Sequence, residues 1–329
     1  MNLRRRQFIT LLSAAAAWPL AARAQQQALP VVAFVSGRQP DDDPRYGAAF
    51  RKGLGEVGVV PDQSVSVEYH WLSGQYDLLP SLMAELVRRR VAVIATPGSA
   101  PAARAAKAAT ASIAIVFGVT EDPVNIGLVA SLARPGGNAT GINFLAQETI
   151  AKQLGLLHDL VPKARRIAVI VNPANASNTE TTLRVLPDAA RVAGIAARVI
   201  KASTIGEIDA AFSAFAREPV DALLIAPDAF FASRQVQFAI MAARQGIPTA
   251  SSVRDGVEAG LLMSYGTDGL DAYRQVGNYT GRILRGAKPE DLPVLQSTKF
   301  EFAISLTAAK ALGLDIPAGV LSSADEVIE

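Results

Sequence analysis

Short apolar runs alternate with amphipathic stretches along this chain, and this alternation constrains the fold more than any other feature. Val31–Val35 is continuously apolar, as is typical of a strand buried on both faces. Tyr76–Arg90 instead places Leu, Met and Val on one face at helical spacing, and a further helix is predicted over Asn125–Ala133. The predicted strands are Val31–Val35, Val65–Tyr69, Val91–Ala95, Ile113–Phe117, Thr140–Phe144, Arg166–Val171, Ala196–Ile200, Ala222–Ala226, Pro248–Ala250 and Leu261–Ser264. Because strands separated by helices pair in parallel through right-handed crossovers, the pattern predicts an α/β fold.

The series of strands and helices runs twice, and the turn-rich stretch Arg134–Gly141 separates the two runs. We therefore predict two flavodoxin-like lobes with parallel sheets, residues 25–141 and residues 142–264, joined by a multi-strand hinge. Residues 265–329 contain a long helix but too little chain for a third domain. We expect them to return to the first lobe, either staying there or sending a last strand across the hinge. Ligands of such open sheets bind at the carboxyl ends of the strands, which face each other across a cleft.

Residues 1–24 have the three parts of an export signal. Arg4-Arg5-Arg6 precedes the apolar stretch Phe8–Leu20, which is too short to span a membrane, and Ala22-Arg23-Ala24 forms a cleavage site. Arg5-Arg6-Gln7-Phe8-Ile9 also fits a twin-arginine signal, with a general secretory signal as the alternative. No cysteine follows the apolar stretch, so no lipid anchor is expected. The sequence therefore predicts an exported, soluble protein of the periplasm.

The composition excludes several classes of function. The chain has no Cys and two His, which argues against thiolate chemistry and against a metal site. Its 32 Lys and Arg face 30 Asp and Glu, and without the four arginines of residues 1–24 the balance is slightly acidic, which is unfavourable for nucleic-acid binding. Gly53-Leu-Gly-Glu-Val-Gly58 matches a dinucleotide motif but lies at the end of a predicted helix, where glycines commonly terminate helices. We therefore expect no cofactor, no metal and no catalytic residues, so that the protein is not an enzyme.

Small polar residues follow the strand ends in both predicted lobes. These loops are Ser36-Gly37-Arg38, Thr96–Ala100, Gly118–Pro123, Asn172–Asn175, Pro227-Asp228 and Ser251-Ser252. Free backbone N–H groups and the helix dipole make such loops good receptors for carboxylates, although Ser, Thr, Asn and Asp are also ordinary helix caps. Aromatic residues that could form an apolar wall beside them are Tyr46, Trp71, Tyr265 and Phe230 or Phe231. The loops together favour a polar cleft between the lobes.

Several stretches together resemble one known family. They are Thr96–Pro101, Phe117–Val124, Leu132–Ile142, Val171–Asn175, Gly281–Pro289, Phe300–Pro317 and Ala324–Glu329, and they span most of the chain after residue 24. The chain resembles the substrate-binding proteins of bacterial ABC importers, in particular those of the tryptophan/tyrosine type with the type I periplasmic-binding fold. The resemblance implies a ligand held between the lobes by the strand-end loops. The residues implied as contacts are Ser36, Ser99, Thr120, Asn172, Asp228 and Ser252.

The same resemblance implies a mechanism and partners. A ligand that touches both lobes favours the closed state, and the closed protein, which we expect to be a monomer, docks on an ABC permease in the inner membrane. Asp228 or Glu121 could pair with a ligand ammonium, which would indicate an amino acid, with Tyr265 on the apolar wall. If those acids face solvent, an aromatic or other organic acid fits better. Asp228→Ala is expected to cost little stability. The alternatives are a ligand-sensing protein that docks on a receptor and, less favoured, an exported α/β enzyme.

Overall fold

The computed structural model describes residues 29–39, 44–144 and 146–329. The predicted export signal, residues 1–24, lies outside these described residues. Within them, no helix is both long enough and apolar enough to cross a membrane.

The first lobe is a six-stranded parallel sheet covered by helices on both faces. Its strands are β1 (Val31–Ser36), β2 (Ser66–Trp71), β3 (Val93–Thr96), β4 (Ala114–Val119), β5 (Ala139–Asn143) and β11 (Leu295–Gln296), in the spatial order β11-β5-β4-β3-β1-β2. Its helices are α1 (Pro44–Glu56), α2 (Leu79–Arg89), α3 (Ala100–Ala109) and α10 (Gly269–Leu284), with short 3-10 turns at Tyr76–Leu78 and Pro289–Asp291. The apolar strands β1, β3 and β4 lie at the centre because both of their faces are covered.

The second lobe repeats the plan with seven strands. Its strands are β6 (Arg166–Val171), β7 (Ala196–Lys201), β8 (Ala222–Ile225), β9 (Thr249–Ser251), β10 (Met263–Thr267), β12 (Phe300–Ser305) and β13 (Glu326–Ile328), in the order β13-β12-β10-β9-β8-β6-β7. Its helices are α4 (Ala146–Leu160), α5 (Ala176–Ala193), α6 (Ile205–Phe215), α7 (Ala229–Ala232), α8 (Gln235–Gln245), α9 (Asp255–Glu258), α11 (Leu306–Ala311) and α12 (Ala318–Leu321). Only the β10–β12 pair is antiparallel among the described strand pairs of this sheet.

Over residues 29–39, 44–144 and 146–329, the chain crosses between the lobes three times, after β5, after β10 and after β11. The first two crossings come after Asn143 and Thr267, so each strand runs two or three residues beyond the predicted lobe boundary. Residues 265–329 divide between the lobes, because α10 and β11 join the first lobe and everything from β12 onward joins the second. Within the hinge, the Thr267 hydroxyl donates to the Phe144 carbonyl at 2.9 Å.

The predicted helix over Asn125–Ala133 is a series of turns instead. The Asp122 carboxylate accepts from the N–H groups of Val124 and Asn125, which starts a turn, and Gly127 then has a φ of +75°. A left-handed residue at this point prevents the helix from continuing. The apolar pattern of this stretch therefore reports burial of Leu128 and Val129 rather than helical periodicity.

Candidate ligand-binding site

A cavity of about 110 Å³ lies where the carboxyl ends of the two sheets face each other. The first lobe, its returning helix and the hinge contribute Arg38, Tyr46, Gly98, Ala100, Thr120, Phe144, Thr267, Gly269, Ala272 and Tyr273 to its wall. The second lobe contributes Thr149, Asn175, Asn178, Pro227, Asp228, Ala229, Ala232, Ser252, Val253 and Gly266. This volume is far more than one water needs, so the space suits a small molecule held by both lobes.

Among the helix N-termini at this cavity are those of α3 in the first lobe and α5 in the second. Gly98 and Ala100 lie at the start of α3, and Asn175 caps α5, which is 18 residues long. Gly98 has a φ of +72°, and a Cβ there would lie 2.8 Å from the Tyr273 hydroxyl. Glycine is thus required both by the backbone conformation and by the close approach of the tyrosine. Backbone N–H groups and the helix dipoles make this region suitable for a ligand carboxylate.

Arg38 and Tyr46 form a charged and aromatic wall on the first lobe. The Arg38 guanidinium carbon lies 3.9 Å from the centre of the Tyr46 ring, within cation–π range. Both groups also reach Asp255 of the second lobe, with the Arg38 Nη2 at 3.1 Å and the Tyr46 hydroxyl at 3.2 Å from its Oδ2. The lobes are therefore in direct contact beside the cavity, in a closed arrangement.

Asp228 organises the second lobe's side of the cavity. Its Oδ1 accepts from the Asn172 side chain and from the N–H groups of Phe230 and Phe231, and its Oδ2 accepts from the Asn175 side chain. Burial raises the pKa of the Asp228 carboxyl, and these four donors oppose that rise. The carboxylate is thus a helix cap and a scaffold for two asparagines as well as part of the cavity wall.

Glu121 is a second buried carboxyl group near the cavity, on the first lobe. Its side chain is 1% exposed, its Oε2 accepts from the Thr120 hydroxyl at 3.0 Å, and its Oε1 has no hydrogen-bond partner. Burial raises the pKa of this carboxyl, and the negative charge of Asp228 raises it further. The buried Tyr76 hydroxyl also has no partner, and burial together with Asp228 and Glu121 raises its pKa. Electrostatically these three groups form one cluster, drawn from both lobes.

The eight residues singled out from the sequence divide into two sets. Thr120, Asp228 and Ser252 line the cavity. The others lie outside its lining, and they are Ser36, Ser99, Glu121, Asn172 and Tyr265. A direct ligand contact by any of the eight stays a prediction, and the structure brings the first three together.

Local hydrogen bonds and packing explain why the second set lies back from the cavity. Ser36 accepts from the Arg38 N–H, and Ser99 caps α3 by accepting from the Ala102 N–H. The Asn172 side chain donates to Asp228 and accepts from the N–H of Ala174 in its own turn. Tyr265 stacks on Phe300 with 5.9 Å between ring centres. Ser99 is therefore an ordinary helix cap, the alternative that the sequence left open for such residues.

The predicted aromatic wall is also only partly present. Tyr46 lines the cavity, but Trp71 stacks on Tyr69 at the edge of the first sheet, and Phe230 and Phe231 lie in the core of the second lobe. Sequence reasoning missed Tyr273, which comes from helix α10 far along the chain, and Asn178, one turn into α5. The Asn178 Oδ1 is buried without a partner. An unexplained polar residue on a buried helix face was the available signal for it.

Chemically, the arrangement offers hydrogen-bond donors, a carboxylate and aromatic surface to a bound molecule. In the described part of the chain, no group of three or more His, Cys, Asp or Glu side chains could hold a metal ion. Two α/β lobes with mainly parallel sheets that enclose a cavity at their facing strand ends have the type I periplasmic-binding architecture. The predicted fold class is confirmed.

Comparison with known proteins identifies the family. Residues 29–328 match the family described as ABC transporter substrate binding protein, and the chain belongs to that family. This membership confirms the predicted family, and because the family comprises binding proteins, it also confirms that the chain is not an enzyme.

Individual relatives agree with this assignment. The chain is 28% identical to a tyrosine-binding protein of Clostridioides difficile strain R20291 over 265 residues, 80% of this chain and 75% of the relative. Its fold matches an ABC domain from Streptococcus pneumoniae in complex with L-Trp, with a TM-score of 0.82, 24% identity, and 92% of this chain and 100% of the other covered. A ligand-free, open substrate-binding protein from Clostridium difficile matches with a TM-score of 0.63 and 23% identity, over 92% of this chain and 99% of the other.

Proposed function

We propose that this protein is the periplasmic binding component of an ABC importer and that its interlobe cavity holds a small amino acid-type ligand. The observation that carries the proposal is the cavity itself, which takes its wall from both lobes. A ligand that touches both lobes stabilises the closed state by its differential affinity, and a permease in the inner membrane then recognises that state. The names of similar proteins, one tyrosine-binding and one in complex with L-Trp, support an amino acid.

The charges around the cavity favour an amino acid over a simple organic acid. The hydrogen-bond donors found for Asp228 and Glu121 are two amides, a hydroxyl and backbone N–H groups, all of them neutral. Buried carboxyl groups are costly without a positive partner. A ligand ammonium would supply that charge, and the N-termini of α3 and α5 would receive the ligand carboxylate.

Aromatic groups indicate which side chains the cavity accepts. Tyr46, Phe144 and Tyr273 all line it, and the Tyr46 and Tyr273 rings pack edge to face with 4.8 Å between their centres. Such a wall stabilises an apolar or aromatic ligand side chain by burial. We therefore place aromatic amino acids first in the panel of ligands to be tested.

Thermal unfolding of residues 25–329 in the presence of single amino acids and organic acids tests the proposal. A ligand that binds only the folded state stabilises it by about 2.7 kcal/mol at 100 times its dissociation constant. We expect a raised midpoint with L-tyrosine or L-tryptophan and none with 4-hydroxyphenylacetate, which lacks the ammonium group. A response to the acid alone would mean that neither Asp228 nor Glu121 pairs with a ligand ammonium, and no response from a broad panel would refute the amino acid.

Export belongs to the same proposal. We infer that residues 1–24 direct the chain to the periplasm by the twin-arginine route and that the mature protein is a monomer without a lipid anchor. A fusion of residues 1–24 to a reporter should be exported in wild-type cells and retained when Arg5 and Arg6 are both replaced by Lys. Export of the double variant would instead indicate the general secretory route.

A further inference from the structure

A compact set of charged and aromatic side chains joins the lobes beside the cavity. This interlobe latch consists of Arg38, Arg45 and Tyr46 of the first lobe and Asp255 and Glu258 on α9 of the second. Asp255 is its centre. Its Oδ2 accepts from the Arg38 guanidinium at 3.1 Å and from the Tyr46 hydroxyl at 3.2 Å, and its Oδ1 lies 3.5 Å from the Arg45 guanidinium. One carboxylate therefore holds three side chains of the opposite lobe.

The contacts of the latch differ in how much solvent screens them. The Arg38 side chain is 4% exposed and that of Asp255 is 22% exposed, whereas the Arg45 side chain that pairs with Glu258 is 46% exposed. Exposed pairs contribute little because water and salt screen them, while a buried charge that loses its partner is costly. The Arg38–Asp255 contact is therefore the dominant one.

Asp255 stands on a rigid platform in its own lobe. Arg254, its neighbour, forms ion pairs with Glu326 of β13 at 2.5 Å and with Glu301 of β12 at 3.3 Å. Gly256, on its other side, has no room for a Cβ because Gln235 and Ser251 pack against it. Helix α9 is thus fixed to the second sheet, and Asp255 moves with that lobe as a unit.

The latch and the cavity share two residues. Arg38 and Tyr46 line the cavity and at the same time contact Asp255, which does not line it. Opening the lobes would separate Asp255 from both of them. Closure of the lobes therefore fixes the positions of Arg38 and Tyr46 in the cavity wall through their contacts with Asp255, which lies outside that wall.

We propose that Asp255 is a positioning residue: it holds the lobes closed before a ligand arrives and, in doing so, sets Arg38 and Tyr46 in place as part of the binding site. The first half of this proposal concerns the ligand-free protein, and only the second half rests on the proposed function. A preformed wall lowers the cost of ordering these side chains when the ligand binds.

The ligand-free protein tests the first half. The chain has no cysteine, so a cysteine introduced at each of two exposed positions can carry a spin label without side reactions. These positions are Lys52 of α1 and Glu180 of α5, one on each lobe. We expect the interlobe distance distribution of the labelled protein to include the closed distance without ligand, and Asp255→Asn or Asp255→Ala to reduce the closed-to-open ratio about tenfold. The control Glu258→Gln leaves Asp255 in place and removes the exposed interlobe pair with Arg45 together with an ion pair to Arg254 in its own lobe, and it should change this ratio less than about twofold. A wild-type protein that is entirely open, or an unchanged ratio in both Asp255 variants, would overturn the proposal.

Ligand kinetics test the second half, with L-tyrosine and L-tryptophan as probes. Because the ligand enters through the open state, Asp255→Ala should not slow association, whereas loss of the fixed wall should raise the dissociation rate about tenfold. Asp255→Glu should restore part of the slow dissociation. A purely structural role would instead appear as a lowered unfolding midpoint in all Asp255 variants, without a selective increase of the dissociation rate. If neither probe binds to wild type, the proposed ligand class fails, and the distance measurement still decides the role of Asp255.

Discussion

The Asp228 carboxylate accepts four hydrogen bonds, two from asparagine side chains and two from the backbone of α7. The expectation from the sequence, that Asp228→Ala costs little stability because a cleft residue is not core packing, disagrees with this environment. Removing the carboxylate leaves four donors in a buried region without an acceptor. The residue has a structural role whatever its part in ligand binding.

We therefore predict that Asp228→Ala lowers the free energy of unfolding by about 2–4 kcal/mol, the sum expected from a lost helix cap and unpaired buried donors. Asp228→Asn, which keeps an acceptor for the α7 N–H groups, should lose clearly less. Urea unfolding followed by circular dichroism measures both. Equal stability of wild type and Asp228→Ala would show that water replaces the carboxylate.

Glu121 should make stability depend on pH. Its pKa is raised in the folded protein, so between the unfolded value of about 4.3 and the raised value the native state binds more protons than the unfolded state. Stability then falls as pH rises through this window. The variant Glu121→Gln has no carboxyl group to ionise at this buried position, so its folded state does not lose this stability as the pH rises.

The variant should thus be more stable than wild type above the window, and the difference between the two should shrink as pH falls toward about 4. Unfolding in urea at several pH values from about 4 to about 8 measures this difference. Glu85→Gln, which removes a half-exposed carboxyl group on α2, is the control for the loss of a carboxyl group that is not buried. A Glu121→Gln curve that runs parallel to wild type over this pH range would contradict a raised pKa of Glu121.

At the scale of elements, helices α1 and α10 approach each other through glycines. A Cβ at Gly53 would overlap the carbonyl oxygen of Arg274, and a Cβ at Gly277 would overlap that of Phe50. The glycines of Gly53–Gly58 were interpreted from the sequence as helix terminators, but Gly53 lies inside α1 and allows α10 to pack closely against it. Close packing brings the returning helix α10 onto the first lobe, where Tyr273 reaches the cavity.

Two glycines two residues apart provide a matched test of this packing. Gly53→Ala should destabilise the protein by about 1–3 kcal/mol or more, because the helices must separate. Gly55→Ala, where an added Cβ meets nothing within 4 Å, should stabilise it by up to about 1 kcal/mol through helix propensity alone. Thermal unfolding of the two variants compares them directly, and equal midpoints would contradict the close helix contact.

For the whole molecule, closure depends on small residues on the first lobe where α7 of the second lobe meets it. A Cβ at Gly37 would lie 3.0 Å from the Ala229 Cβ and 2.7 Å from the Tyr76 hydroxyl, and one at Gly74 would lie 2.8 Å from the Phe230 ring. The tyrosine hydroxyl belongs to the same lobe and can shift, but Ala229 can give way only if the lobes separate. Gly37 thus permits full closure without being needed for folding of its own lobe.

Gly37→Ala should consequently weaken binding of the ligand found in the thermal panel about tenfold while leaving the unfolding midpoint of the free protein nearly unchanged. Isothermal titration calorimetry gives the affinity, and small-angle scattering should show a larger radius of gyration than wild type at saturating ligand. Gly206→Ala, on α6 of the second lobe, where an added Cβ meets nothing within 4 Å, is the control. Unaltered affinity in Gly37→Ala would indicate that ligand binds without full closure.

Most of the strands and helices, the two lobes and the polar strand-end loops were readable from the sequence, although the helix predicted over Asn125–Ala133 was wrong. Burial leaves a local periodic signature, so continuous apolar runs such as Val31–Val35 identify central strands without knowledge of their neighbours. The family followed from several short stretches taken together. The division of residues 265–329 between the lobes was left open, since strand pairing such as β10 with β12 is not a local property.

Only the tertiary structure decided which polar residues meet at the cavity. Ser99 and Thr120 belong to the same kind of loop, yet Ser99 caps a helix and Thr120 lines the cavity. The contact of Arg38 with Asp255 joins residues 217 positions apart and exists only where two separately folded lobes meet. Such contacts depend on the relative placement of whole lobes, and no local pattern of residue types encodes that placement.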